Sequence, residues 1–471
     1  MKKGLCFLII TLIVVFCGTT VDAENIKALD ITNKSEINVV GYSNSTFLTD
    51  GNINTYKKSS KEAKITLTNA DGISGIYLLI DGNYGEFTIT DNSAKTTLNT
   101  MKPGISHRYI SLSELFGANL TDVTLEFEKA VSLSEIYLFS DGELPDFVQD
   151  WEPSLDKGAD LALFSTHGDD EQLYFSGLLP LYAGERGLRV QVIYMTYHPN
   201  SPKRLHEMLN GLWAVGVRNY PVFGDFADFR IDDKEQTYKK YASLGTTKEE
   251  LQAFVVEQIR RFKPIVAIGH DVNGEYGHGM HKVYSELLRN GIVLANNSEE
   301  FTDSYEKYGT WQVKKTYLHL YRENKITLDY DTPLNAFDGM TAFEVSQKLG
   351  FPCHKTQQWD VFCNWLYGKN HQITKATQIK TYSPCDFGLF QSEVGDDILK
   401  NDFFENVQNY TDLENVPSEP NNETEEIQPE TSTNPEVSND NLGFVPIVVI
   451  VLVLSAVIIF IILAIKQNYK N

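Results

Sequence analysis

Short apolar runs that alternate with helix-like segments dominate the chain between residues 158 and 405. The first of them, Leu161 to Phe164, is the kind of uninterrupted apolar run that forms a buried parallel strand. The alternation predicts, in order, strand 161–165, helix 171–183, strand 189–197, helix 203–214, strand 220–223, helix 247–262 and strand 265–269. Such alternation predicts a Rossmann-like, doubly wound α/β sheet.

Helix-start signals add detail to this pattern. Thr247 and Glu250 have the spacing of a capping box at the start of helix 247–262. A further helix is predicted from Thr341 to Lys348, in the mixed region that follows the alternation.

A period-two pattern precedes the α/β region, over residues 24–145. Short alternating segments are separated by turn residues such as Asp71-Gly72 and Asp81-Gly82. The predicted strands are 63–67, 76–80, 86–90, 123–127 and 136–139. Many short strands with regularly spaced turns predict an all-β sandwich or jelly roll.

Both ends of the chain carry membrane-related signals. Two lysines precede an apolar run and a small-residue cleavage site that ends at Ala23, so residues 1–23 are predicted to be a secretory signal peptide. Residues 444–465 carry no charge and, at about 33 Å as a helix, are long enough to span a bilayer. We therefore expect a C-terminal single transmembrane helix there, with a cytoplasmic tail over residues 466–471.

An acidic segment precedes that predicted helix. Residues 411–441 contain nine Asp or Glu, four Pro and no Lys or Arg. Such a composition cannot bury enough apolar area to offset the entropy lost when the chain is ordered. The segment is predicted to be a disordered stalk, which would hold the folded body at the cell surface, outside the membrane.

The overall composition is that of a globular protein with many acidic residues. Hydrophobic residues make up 42% of the chain and the formal net charge is −22. This charge argues against nucleic acid as a partner, whereas a neutral sugar is compatible with it. Beyond the signal peptide the chain has three cysteines, Cys353, Cys363 and Cys385, which allow one disulfide and one free thiol without indicating the pair.

Ionisable residues crowd the ends of two predicted strands. The run from His167 to Glu171 (H-G-D-D-E) follows strand 161–165, and the run from His270 to His281 follows strand 265–269. The carboxyl ends of parallel strands meet at one edge of an open sheet, where α/β proteins place their ligands. Adjacent carboxylates oppose one another's ionisation, and a bound cation would remove that conflict.

Together the two runs supply the ligands of a catalytic metal site. Zinc in such a site takes three His or carboxylate ligands and keeps a fourth position open. His167, Asp170 and one of His278 or His281 form a two-His, one-Asp set. Either motif alone is common at capped helix starts, but their joint occurrence at two strand ends indicates a metal site.

These motifs resemble the signature of the PIG-L/LmbE-like de-N-acetylase family, in which H-P-D-D-E is followed by Y-G-H-x-x-H. The run from Tyr276 to His281 supplies the second motif. Arg204 to Glu207 is similar to the family's R-x-x-E helix, and His354 to Gln357 resembles its H-x-[ST]-Q motif. The resemblance covers roughly residues 158–395 and implies the α/β fold of that family for residues 158–405.

The resemblance implies a zinc-dependent hydrolase that removes the acetyl group from N-acetylglucosamine-type sugars. It makes His167, Asp170 and His281 the zinc ligands and Asp169 the general base. The same two-His, one-carboxylate set also accepts iron(II).

Further roles are implied by the same resemblance. His278 would act as a general acid or steady the oxyanion, and Tyr276 would polarise the amide carbonyl. Arg204 would contact the substrate, and so would an Asp after the next strand, Asp228 rather than Asp225.

Two residues next to the motifs each have two alternative predicted roles. His270 and Asp271 are predicted either to orient a zinc-bound His or to cap the strand end.

Two positions depart from the family pattern. Gly168 stands where the family has Pro, and Met280 stands where many members have Asp. Neither departure falls on an implied ligand or on the base.

The segment from Leu48 to Thr55 resembles the D-G-x-x-x-T turn of galactose-binding-like sandwich domains. This resemblance implies that residues 24–145 bind a glycan or act as a spacer.

The leading hypothesis is a surface-anchored de-N-acetylase whose partners are an N-acetylated glycan or glycoconjugate and the membrane. One alternative is a cell-surface glycan-binding or adhesion protein with a non-catalytic α/β domain, and another is a hydrolase of a different amide. The complete ligand set and Asp169 favour an enzyme, because a pure binder does not need an ionised carboxylate beside a metal.

Overall fold

A sandwich of two antiparallel sheets forms the first part of the molecule. The computed structural model describes residues 26–94, 96–101, 104–196, 198 and 201–414. The strands of the sandwich are β1 (Glu36–Val40), β2 (Lys57–Lys58), β3 (Lys64–Ile73), β4 (Gly75–Tyr84), β5 (Phe87–Asp91), β6 (Thr96–Met101), β7 (Gly104–Ser111), β8 (Leu120–Phe127) and β9 (Ser132–Phe139). One sheet has the order β1-β3-β8-β5-β6 and the other β2-β9-β4-β7. Apolar side chains such as Ile65 and Leu78 are buried in the core of the sandwich, as the alternating pattern predicts.

Two dipeptides predicted as turns between strands lie inside strands instead. Asp71-Gly72 falls within β3 and Asp81-Gly82 within β4, and the strand pairing shifts register at both places. Gly72 and Gly82 have φ values of 89° and 88°, which only glycine adopts readily. The glycines therefore absorb β-bulges, so the strands are longer than their apolar alternation indicated.

A seven-stranded sheet forms the second part of the molecule. Its strands are β10 (Leu161–Ser165), β11 (Val190–Thr196), β12 (Val222–Phe226), β13 (Val266–Gly269), β14 (Lys315–His319), β15 (Lys325–Thr327) and β16 (Asp386–Ser392). The order is β12-β11-β10-β13-β14-β16-β15. The first five strands are parallel, β16 is antiparallel to β14, and β15 is antiparallel to β16. The strand order reverses between β10 and β13, which is the switch point where Rossmann-like sheets bind ligands.

The α-helices of the described residues lie mostly between or after these strands. They are α1 (Leu112–Phe116), α2 (Pro202–Ala214), α3 (Lys234–Ser243), α4 (Lys248–Phe262), α5 (Gly279–Leu294), α6 (Thr302–Tyr308), α7 (Ala342–Val345), α8 (Asp360–Tyr367) and α9 (Tyr410–Glu414). Thr247 caps α4 through the predicted capping box with Glu250.

The predicted helix 171–183 is wrong. Consecutive turns run through residue 177, and a π-helical turn follows over Pro180–Glu185. Gly177 has a φ of 93°, and Pro180 lacks the N–H that a helix interior requires. The helix predicted from Thr341 is likewise split, because α7 passes into a π-helical turn at Ser346–Gly350.

The sandwich packs directly against the α/β part through α2. His206 of α2 and His107 of β7 are joined by a hydrogen bond of 2.9 Å between ring nitrogens, and Tyr77 Oη lies 2.5 Å from the other nitrogen of His107. Trp213 at the far end of α2 donates its indole N–H to the Asp146 carbonyl, at 3.0 Å. The two parts belong to one compact unit, in which one helix links them.

Several predictions concern regions at or beyond the limits of the described residues. No described helix is both long enough and apolar enough to cross a membrane. The predicted signal peptide 1–23 and the predicted membrane helix 444–465 lie outside the described residues. The start of the predicted stalk at residue 411 is ordered, because Tyr410 at the start of α9 donates its backbone N–H to Asp160, at 2.6 Å.

The cysteine pairing that the sequence left open is not formed in the structure. Cys353, Cys363 and Cys385 are all free thiols, and Cys385 is buried.

Arg260 of α4 is the largest fully buried polar side chain, and its loss should destabilise the fold. Its guanidinium donates to five backbone carbonyls between residues 294 and 301 and to Ser304 Oγ. Substitution Arg260→Met leaves those carbonyls buried without donors, and we expect a loss of about 3 kcal/mol or more in the free energy of unfolding. Denaturant unfolding of the purified variant measures this loss.

The neighbouring Arg261 provides a matched control. It is partly exposed and its nearest carboxylate, Asp156, lies 3.7 Å away. Because exposed ion pairs contribute little, Arg261→Met should cost less than about 1 kcal/mol. Equal losses in both variants would contradict the structural role of Arg260.

Candidate active site

The candidate site lies where β10 and β13 end, at the switch point of the sheet. The loop after β10 carries His167, Asp169 and Asp170, and the loop after β13 leads to His278 and α5. Each of these side chains is buried. Parallel strands that end side by side explain why two runs more than a hundred residues apart in sequence meet here.

Three ligand-type atoms form a nearly equilateral triangle. His167 Nδ1 lies 3.1 Å from Asp170 Oδ2 and 3.1 Å from His281 Nε2, and the last two atoms are 3.3 Å apart. A tetrahedral zinc ion with ligand bonds of about 2.0–2.1 Å separates its ligands by about 3.3 Å. The three atoms therefore have the spacing of three ligands of a tetrahedral metal site.

The charges at this triangle also suit a cation. Burial disfavours the imidazolium form of His167, but Asp228 and Asp170 outweigh it and raise its pKa to about 10. Burial also disfavours the imidazolium form of His281, but Asp170 and Glu275 outweigh this effect and raise the pKa of His281 to about 9. The carboxylates that favour protonation of these histidines would equally favour a divalent metal ion in place of the protons.

Two other groupings of possible ligand atoms come within 4.8 Å of one another, namely His167 with His278 and His281, and Asp170 with His270 and His281. His270 is already engaged, because its Nε2 accepts the Thr166 N–H at 3.0 Å and its Nδ1 lies 2.9 Å from Glu275. His278 caps α5, and its Nδ1 accepts the Met280 N–H at 3.1 Å. The geometry thus favours the His167, Asp170 and His281 set.

Glu275 is a central residue of the site that the sequence analysis did not identify. It is fully buried, and its carboxylate lies 2.7 Å from His281 Nδ1, 2.9 Å from His270 Nδ1 and 2.7 Å from His319 Nδ1. Burial would raise the pKa of Glu275, but these histidines hold it well below its usual range. Its contact with Nδ1 directs Nε2 of His281 toward Asp170, which is how carboxylates orient metal-binding histidines.

The two residues predicted to lie behind the ligands are placed differently from each other. His270 lies in the cluster, with its Nε2 3.6 Å from Asp170 Oδ2 and its ring stacked on that of His281 at 4.2 Å. The Asp271 carboxylate instead accepts two hydrogen bonds from Asn273 and caps its own turn. Asp271 therefore has a capping role, which is one of the two roles that the sequence left open.

Asp169, the predicted base, lies beside Arg204. Its carboxylate is 3.5 Å from Arg204 Nη2, and its side chain is 6% exposed. Burial raises the pKa of Asp169 to about 6, even though Arg204 acts in the opposite direction. A carboxyl with a pKa near neutrality is suited to accept and then return a proton.

Asp228, predicted to bind substrate, contacts His167, one of the candidate metal ligands. Its Oδ1 lies 3.3 Å from His167 Nε2, and its Oδ2 lies 3.8 Å from both Arg204 Nη1 and His198 Nδ1. Its side chain is 30% exposed, so a substrate could still reach it. The sequence offered no signal for His198, which is an isolated histidine in a loop.

Tyr276 and His278 line the same site. Tyr276 has a φ of 44°, a strained left-handed conformation that is common at functional sites. Its ring lies 5.6 Å from that of His278 and 5.5 Å from that of His281, with the Arg230 guanidinium 4.7 Å from its centre. Burial and the neighbouring His167 and His281 lower the pKa of His278 to about 2, so this residue is neutral and, with Nδ1 accepting, carries its proton on Nε2.

The remaining motif residues pair with one another behind the site. Glu171 Oε1 lies 3.0 Å from His354 Nε2, and Glu207 accepts hydrogen bonds from the backbone N–H and hydroxyl of Thr356 at 3.0 and 2.5 Å. The H-G-D-D-E loop and α2 therefore both contact the loop that contains His354 and Thr356.

Packing accounts for both departures from the family motif. A Cβ at Gly168 would lie 2.3 Å from the Met208 side chain of α2, so a larger residue there would require the Met208 side chain to move. The Met280 side chain is buried in the apolar core rather than placed against His278.

The chain is similar to known proteins over part of its length. No family model matches the chain. It is similar to the 1D-myo-inositol 2-acetamido-2-deoxy-alpha-D-glucopyranoside deacetylase of Rhodococcus jostii, with 26% identity over 180 residues, which are 33% of this chain and 60% of the relative. The enzyme of the same name from Streptomyces scabiei is 24% identical over 188 residues, covering 35% and 57%. The chain thus spans about three fifths of the length of these curated relatives, and they confirm its resemblance to the PIG-L/LmbE-like de-N-acetylases.

Solved structures are similar to the chain at lower identity. The N,N'-diacetylchitobiose deacetylase from Pyrococcus horikoshii has a TM-score of 0.34 and 13% identity, covering 50% of this chain and 84% of its own. The family 32 carbohydrate-binding module of Clostridium perfringens NanJ has a TM-score of 0.20 and 13% identity, covering 24% and 99%.

Substitution Glu275→Gln should weaken metal binding without changing the shape of the side chain. The amide cannot hold His281 in the same protonation state as the carboxylate does, and such substitutions behind a metal site typically cost 10- to 100-fold in affinity. We expect the dissociation constant for zinc to rise by about that factor, measured by competition with a chromophoric chelator.

Asp271→Asn is the matched control for this measurement. Among the described residues the Asp271 side chain is hydrogen-bonded only by Asn273, and the backbone N–H that Asp271 donates to Glu275 is kept in the variant. The zinc affinity of Asp271→Asn should therefore remain that of the unmodified protein. Equal affinity in all three proteins would show that Glu275 does not position His281.

Proposed function

We propose that this chain is a metal-dependent de-N-acetylase that hydrolyses the acetamide of N-acetylglucosamine-type glycans or glycoconjugates and releases acetate. The observation that carries the proposal is the triangle of His167, Asp170 and His281 together with the buried Asp169 next to it in the chain, whose carboxyl interacts electrostatically with Asp170 and His167. An ionisable carboxyl next to a set of metal ligands is what hydrolysis of an unactivated amide requires.

The substrate class is supported by the relatives reported above. Their names describe deacetylases of a 2-acetamido-2-deoxy-glucopyranoside, in which the acetamide is carried by a glucosamine unit. The formal net charge of −22 is compatible with a neutral acetamido sugar.

The metal of this proposal is zinc. Two histidines and one carboxylate in a buried, tetrahedral arrangement match the ligand preferences of zinc, although the same set accepts iron(II). When bound, the metal supplies Lewis-acid polarisation of the acetamide carbonyl and of water.

The side chains of the site then have separate tasks. Asp169 accepts a proton from the water whose oxygen adds to the acetamide carbon, and it returns that proton to the amine nitrogen when the C–N bond breaks. The Nε2–H of His278 donates to the oxyanion, together with Tyr276 on the same side. Arg204 holds Asp169 in place and offers its guanidinium to the sugar.

We also propose that the protein works at the cell surface. Residues 1–23 would direct export, and residues 444–465 would anchor the chain in the membrane by one helix. The support for this part is the residue pattern alone, namely a charged, then apolar, then small-residue start and an uncharged run of 22 residues near the end.

Acetate release tests the proposed chemistry. The full-length chain, purified in detergent and loaded with zinc, should release acetate from N-acetylglucosamine conjugates, and a chelator should abolish the release. Substitution Asp169→Asn removes the base and should lower the rate by about 100-fold or more.

The control for that substitution is Asp303→Asn, at an exposed position on α6, which should retain full activity. Zinc binding without acetate release from any conjugate would indicate another amide as substrate. Absence of both zinc binding and acetate release would leave only a glycan-binding function.

Cell fractionation tests the proposed location. The full-length chain should remain in the membrane fraction after an alkaline carbonate wash, whereas a chain truncated after residue 440 should be released from the cells. A truncated chain that stays in the membrane pellet would contradict anchoring by residues 444–465.

A further inference from the structure

A cavity of about 280 Å³ lies between the sandwich and the α/β part. Its sandwich wall contains Asn54, Tyr56 and Asp81, and its opposite wall contains Lys203 and Asn210 of α2 together with Lys355. This volume is just below the lower end, about 300 Å³, of pockets that hold drug-sized ligands, so the cavity suits a ligand of about one sugar ring and is too small for a folded partner.

The sandwich wall of this interdomain cavity is rigidly constructed. Asp50 accepts a hydrogen bond from Thr55 Oγ1 at 2.6 Å, and Ser134 Oγ donates to the Ile53 carbonyl at 2.6 Å. These bonds fix the segment that carries Tyr56, whose ring is half exposed at the cavity. Asp81 is held at the β-bulge next to Gly82.

The opposite wall is fixed by contacts between the two parts. The hydrogen bond of 2.9 Å between His206 and His107 sets α2 against the sandwich. Asn210 accepts a hydrogen bond from Gln149 Nε2 at 2.5 Å, which leaves its amide N–H groups to serve as donors. Neither wall therefore has to move for the cavity to exist.

The groups that face the cavity match a saccharide. The amides of Asn54 and Asn210, the Asp81 carboxylate and two lysines provide donors and acceptors for hydroxyl groups. The Tyr56 ring provides a flat apolar surface with a polar tip, on which a pyranose face can pack. One aromatic surface with several convergent polar groups is the usual composition of a small-ligand site.

The cavity also lies close to the candidate active site. Lys203, His206 and Asn210 line it from one face of α2, and Arg204, on an adjacent face, reaches Asp169 at 3.5 Å. Because a helix with its side chains is about 10–12 Å across, the two sites lie within the length of a short oligosaccharide rather than of two adjoining sugar units.

We propose that the interdomain cavity is a saccharide subsite, which binds a second sugar unit of the N-acetylglucosamine-containing chain whose acetamide is hydrolysed. This inference rests on the proposed function for the reacting unit. It assigns part of substrate recognition to the sandwich and makes an oligosaccharide, rather than a single sugar, the preferred substrate.

Direct binding tests the subsite independently of turnover. The zinc-loaded, full-length chain with Asp169→Asn is titrated calorimetrically with tetra-N-acetylchitotetraose and with N-acetylglucosamine. The tetrasaccharide should bind at least about tenfold more tightly, and adding Tyr56→Ala should remove about tenfold from the tetrasaccharide affinity alone. Tyr305→Ala, at a comparably exposed tyrosine on α6, should change neither affinity.

Kinetics provides a second readout in the chain with Asp169 intact. Tyr56→Ala should lower kcat/KM for the tetrasaccharide by about tenfold and leave that for the monosaccharide unchanged, because only the longer substrate reaches the cavity. Equal binding of both sugars, binding of neither, or a Tyr56→Ala loss shared by both would overturn the subsite. Tetrasaccharide binding that depends on Tyr56 without acetate release would refute the proposed chemistry and retain the subsite.

Discussion

The candidate site depends on the compensation of two buried carboxylates, Asp170 and Glu275, by histidines. Burial alone would force both carboxyls into the protonated form, but the histidines around them keep both pKa values well below the usual range. The Glu275 carboxylate joins histidines that belong to β14, to the loop after β13 and to α5. One charge balance therefore fixes the relative positions of three elements, and removal of any member would leave an uncompensated buried group.

The helix α2 extends this constraint to the rest of the molecule. Arg204 and Met208 pack toward the H-G-D-D-E loop, whereas His206 packs toward the sandwich. Gly168 leaves the space that Met208 occupies, so the loop and the helix approach closely. Because one rigid helix contacts both parts, the position of the sandwich and the position of Arg204 are not independent.

Local patterns predicted much of the fold and part of the site. The apolar run at residues 161–165 and the capping box at Thr247 are confirmed, because both signals are complete within a few residues. The predicted helix 171–183 is wrong, because Gly177 and the tertiary packing of the H-G-D-D-E loop override the helix-compatible composition. Glu275 went unnoticed although His270 and His281 lie within six residues of it, because only the fold turns both rings toward its carboxylate and adds His319 from a later strand.

The sequence by itself determined the element types, the two ionisable runs at strand ends and the choice between a few candidate ligands, since strand period, capping and motif spacing are local properties. The resemblance already named His281 rather than His278 as a ligand, and the tertiary structure supplies the distance, 3.3 Å, at which His281 meets Asp170. The start of α5 assigns Nδ1 of His278 to capping, whereas Glu275 directs Nε2 of His281 inward. Only the tertiary structure decided that the sandwich faces α2 and encloses a cavity there. These are distances between residues far apart in sequence, and they follow from how the sheets and helices pack rather than from any short stretch of the chain.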